Sequence, residues 1–99
     1  MTDMTDREKH EWAAKAAGIA HVTPMMIEWG QWNPLHDNND AFRLAARLKI
    51  QVAFGTFKDN VASAYKFDTP AVEVENTDIE AAAREAIFLM AVDIGKGMK

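Results

Sequence analysis

The chain contains no cysteine, which excludes disulfides and thiolate metal sites. Its single serine, Ser63, has no elbow glycines around it, so the usual setting of a serine nucleophile is missing. Neither a glycine-rich phosphate loop nor a dinucleotide fingerprint is present. The three histidines, His10, His21 and His36, share no ligand spacing. The cluster Asp37-Asn38-Asn39-Asp40 lacks the central glycine and the closing glutamate of a calcium loop. Glu73 and Glu75 share one strand face, where solvation is a simpler reading than paired-acid hydrolysis. These absences leave no constellation for catalysis, and the expectation is a non-enzyme with no cofactor and no metal. The longest apolar run, Ala86 to Val92, is far short of the roughly 20 residues that span a bilayer. Met1 to Glu8 is charged and has no apolar core of the kind a secretory signal needs. Acidic residues outnumber basic ones 15 to 11, which argues against a nucleic acid as the main partner. A cytoplasmic protein with no membrane attachment is expected.

The chain has 99 residues, 48% of them apolar and 26% charged, which is an ordinary globular balance. That length predicts one domain over 1–99, with 1–4 and 96–99 fraying. Thr5-Asp6-Arg7-Glu8 has the form of a capping box and opens a helix that Gly18 closes. Its apolar stripe is Trp12, Ala13, Ala16 and Ala17. Ile19 to Trp29 reads as an extended segment bent at Pro24. A loop from Gly30 leads to a helix beginning near Asp37 to Asn39, with Ala41, Leu44, Ala45 and Leu48 at core spacing. Three strands follow, around Ile50–Phe54, Val61–Phe67 and Val72–Val74, with turns at Asp59-Asn60 and Thr69-Pro70. Thr77-Asp78-Ile79-Glu80 opens the longest helix, expected to end around Gly95.

Alternation in the strands places bulky residues on one sheet face and Ala53, Ala62, Ala64 and Ala71 on the other. Small side chains admit a helix closely, so both faces are expected to be covered. The predicted fold is α+β: a compact α-β-α sandwich with a mainly antiparallel sheet of three or four strands. The three helices give the order α-β-α-β-β-β-α.

The run Trp32-Asn33-Pro34-Leu35, followed by an acidic turn and Asp40-Ala41-Phe42-Arg43-Leu44-Ala45, resembles a pattern in small phage and prophage proteins. Ala14 to Ile19 and Ala83 to Lys96 fit the same family, whose domain is a helix–sheet–helix sandwich. The chain departs from the pattern at Asn38-Asn39, where the family carries Asp-Gly. The resemblance implies the layered architecture and assigns no activity.

Three surfaces are candidates for contact. The loop from Trp29 to Asp40 gathers Trp29, Trp32 and His36, and a Trp there can serve as a recognition anchor. The competing reading pins Trp32 and Leu35 to the core and uses Asp37 and Asp40 as capping groups. Phe88, Leu89 and Val92 point away from the last helix's core stripe of Ile79, Ala83, Ala86, Ile87, Met90 and Ile94. They lie either beneath the first helix or in a homodimer interface. Arg43, Arg47 and Lys49 sit together on the polar side of their helix and could track phosphates. The expected role is a phage- or prophage-type accessory protein, a non-enzymatic protein-interaction module whose partner is a host or phage protein. The alternative is a nucleic-acid-binding accessory protein that uses the Arg43, Arg47 and Lys49 face.

Overall fold

A computed structural model describes residues 6–18, 24–55, 59–66 and 69–97. Four helices and three strands appear in the order α1 (Asp6–Ala17), α2 (Pro24–Glu28), α3 (Asn38–Leu48), β1 (Gln51–Phe54), β2 (Val61–Lys66), β3 (Thr69–Glu75) and α4 (Ile79–Gly97). The fold class is α+β, built on a three-stranded antiparallel sheet of order β1-β2-β3.

The segment read as extended, Ile19 to Trp29, is not a strand where it is described. Residues 19–23 lie outside the described residues, and Pro24–Glu28 is a short helix. Proline at the first helical position loses nothing, because that N–H has no partner in a helix anyway. Two methionines and a glutamate then favour the helix. Gly30 stops it at φ 74°: its N–H donates to the Ile27 carbonyl, and the Gln31 N–H donates to that of Met26. The two bonds form a Schellman closure, which glycine enters without strain.

Helix α3 follows its sequence pattern. Asp37 is the N-cap, its carboxylate accepting the Asp40 N–H at 3.1 Å. Ala41, Leu44, Ala45 and Leu48 are its buried residues. It closes with the same pair of bonds as α2, but with Lys49 in the left-handed position at φ 57°. The last helix starts one residue later than its motif suggests. Asp78, not Thr77, is the cap, and its carboxylate accepts the N–H groups of Glu80 and Ala81.

Strand register corrects the expected division of the sheet. Val52 faces Ala64, which faces Val72, while Phe54 faces Ala62, which faces Val74. Each row therefore runs large, small, large, and the two central alanines form a trough. Ala53 and Ala71 belong to the opposite face, where Ala53 faces Ser63 and Ser63 faces Glu73. Thr69 and Pro70 lie within β3 rather than in a turn. An outer strand tolerates the proline because its missing N–H can face outward.

Helix α4 lies on the trough, where Ala62 meets Ala82 and Ala83. Helix α1 packs along α4, not on the strands, and α3 leans against α4. Among the described residues the layers are thus sheet, then α4, then α1 with α3, in place of helices closing both faces of the sheet. A helix covered on two sides must be apolar on both, and α4 is: Ala83, Ala86 and Met90 are buried, and so are Phe88, Val92 and Gly95, while Glu85, Asp93 and Lys96 keep one strip in solvent. Gly95 does not end this helix. A methyl group there would fall on the Trp12 carbonyl, so glycine lets the backbones of α1 and α4 meet.

Candidate functional site

Of the three candidate surfaces, the α4 face proves to be interior and the loop is divided between core and solvent. Phe88 is 1% exposed and Val92 is buried beside it, with Leu89 half-buried. The Phe88 ring lies 4.6 Å from His10 of α1, and His10 in turn meets the edge of Trp32 at 5.9 Å. Trp32, His10 and Phe88 thus form one continuous cluster of rings in edge-on and tilted contact. The α4 face considered for a second copy is occupied by α1 of the same chain. Trp32 and the half-buried Leu35 hold their loop to the core, and the Asn33 N–H donates to Asp40 at 2.9 Å. Trp29 is 65% exposed, and His36 is exposed beside Asn33.

Arg43, Arg47 and Lys49 are all exposed. Two of them also have local roles in the fold. The Arg47 guanidinium points to the Ala17 carbonyl at the end of α1, and Lys49 forms the left-handed cap. Ser63 is fully buried in β2, where its hydroxyl has no hydrogen-bond partner among the described residues. No group of three His, Asp or Glu side chains that could hold a metal occurs among the described residues.

The site-like feature is an apolar groove of about 510 Å³ bounded by α3, β1 and the start of α4. Such a volume falls in the range of roughly 300–1,000 Å³ that accommodates ligand groups. Its floor is made of small and aliphatic side chains, chiefly Ala41, Ala45, Ile50, Val52, Ala83 and Ile87. Phe42 and Phe54 also line it and are 73% and 59% exposed. One end is closed by a polar clamp. Asn38 donates to Glu80 at 2.7 Å and accepts from Arg84 at 2.6 Å, while the Arg84 Nε–H donates to the Leu35 carbonyl at 2.9 Å. These bonds tie the start of α3 to α4 and set the groove's width at that end.

Phe42 was not singled out from the sequence, and Phe54 was expected only among the bulky residues of one sheet face. One signal for Phe42 was present: it stands off the Ala41, Leu44, Ala45 and Leu48 stripe, so a large ring had to face outward. The groove itself depends on how far α3 stands from β1, which no local pattern encodes. No protein-family model matches the chain, and neither a curated protein nor a solved structure does.

Proposed function

We propose that this protein is a non-enzymatic interaction module that docks a partner protein in the α3–β1–α4 groove. The observation that carries this reading is the pair of exposed rings, Phe42 and Phe54, beside an apolar floor. Aromatic anchors around a desolvated pocket concentrate binding energy. Large exposed apolar groups set next to one another mark contact surfaces more often than chance exposure does. The resemblance of the Trp32–Ala45 stretch to small phage and prophage proteins supports an accessory role in that setting, with a host or phage protein as partner.

A photoreactive phenylalanine analogue placed at Phe42 tests the reading. In lysate from prophage-carrying bacteria, a discrete adduct is expected at position 42. Ala46→Glu should abolish it, because Ala46 is exposed and lines the groove. The melting temperature should stay unchanged. Equal labelling from the same analogue at Trp29, outside the groove, would overturn the assignment.

A further inference from the structure

The groove ends on the outer edge of the sheet, and the two outer strands are built differently. β3 carries Pro70, Glu73 and Glu75, and its pairing shifts register between Ala64 and Lys66. Proline, charge and irregular pairing are the usual devices that stop an edge from recruiting another strand. β1, Gln51-Val52-Ala53-Phe54, has no proline and no charge.

Register also fixes which backbone groups of β1 are free. Pairs in an antiparallel ladder alternate between those that exchange hydrogen bonds and those that do not. The Gly55 N–H donates to the Val61 carbonyl at 2.8 Å. Counting back, Ala53–Ser63 and Gln51–Tyr65 are the bonded pairs, so Val52 and Phe54 turn their N–H and C=O groups outward. The side chains of these same two residues line the groove. A strand laid against β1 would therefore bond at Val52 and Phe54 and send its facing side chains into the groove.

Charge selects the occupant. The groove's 12 lining residues include one acid and one base, Glu80 and Arg84, both held by Asn38. The groove is thus neutral, in a chain of formal charge −4. We infer that β1 accepts an extended, uncharged segment of a partner protein as a fourth strand, with apolar side chains at alternate positions filling the groove. This deepens, and rests on, the docking reading given above. Backbone bonds supply the affinity of such strand addition, and the pocket supplies its selectivity.

The test uses the full chain and a blocked seven-residue peptide that alternates threonine with valine around a central phenylalanine. Saturable binding is expected, with shifts and slowed exchange at the Val52 and Phe54 amides. A twin peptide, N-methylated at its two bonding residues, should bind roughly tenfold more weakly or worse. Ala46→Glu should also weaken binding while the melting temperature holds. Equal affinity for the twin would overturn strand addition, and so would the absence of saturable binding. Protection at Val52 and Phe54 that rises with protein concentration in the absence of peptide would also overturn it, by showing that a second copy is the occupant. If the photo-adduct at position 42 persists while the peptide test fails, strand addition alone is lost. If both fail, the docking reading falls with it.

Discussion

Helices α3 and α4 bury apolar surface in opposite ways. α3 hides one stripe, Ala41, Leu44, Ala45 and Leu48, and leaves Phe42, Arg43, Ala46 and Arg47 in solvent. α4 is covered on its sheet side through Ala82 and Ala83, and on its α1 side through Phe88 and Gly95. The difference shows that a helix apolar on two sides need not seek a second molecule. A small chain can supply its own second cover, and here α1 does so.

The largest expected effect tests that cover. Phe88→Ala should lower unfolding stability by about 3–5 kcal/mol, the usual range for deleting a buried ring. Urea denaturation followed by circular dichroism checks it. A loss below about 1 kcal/mol would return Phe88 to the surface and remove the contrast between the helices.

Gly95 and Gly97 sharpen the comparison within α4. Alanine normally improves on glycine inside a helix by about 1 kcal/mol. Nothing lies within 4 Å of a methyl at Gly97, so Gly97→Ala should be neutral or stabilising. At Gly95 the methyl meets Trp12 backbone, which cannot swing aside as a side chain could. Gly95→Ala should therefore destabilise by about 1–3 kcal/mol, with the sign reversed. Thermal melts of the two variants side by side decide the matter.

The smallest effect belongs to α3, whose end is local and exposed. Lys49 holds a left-handed conformation that opposes an L side chain by about 1–2 kcal/mol. Lys49→Gly should stabilise the protein by about 1 kcal/mol, less than the full strain because glycine loses more freedom on folding. A lower denaturation midpoint for that variant would count against the cap geometry.

The sequence made α3 legible because its core, its cap and its solvent face all follow one period. The apolar excess of α4 was legible too, but not its cause, since one period cannot say what covers the second side. Pro24 misled because proline suits a strand edge and a first helical turn equally well, and the five residues of α2 are too few to show a period. Alternation in β2 was visible, yet its partners were not. Pairing Val52 with Ala64 rather than with Ser63 decides which alanines share a face, and that choice is made by the whole sheet. Of the candidate surfaces, the loop's capping carboxylates followed from their positions at a helix start. The groove did not, because it is a gap between three elements rather than a property of any one.

The meeting of Trp12 with Gly95 also dictates an order of events in folding. These residues are about eighty positions apart, so their contact closes a loop that embraces most of the polypeptide. During synthesis, α1 emerges long before anything exists for it to lie against. Its alanines, with Trp12 among them, remain without a seat until translation has passed the far helix. Assembly from non-local contacts of this kind is slow for so short a protein. The nascent chain should therefore stay sensitive to protease until α4 has cleared the ribosome.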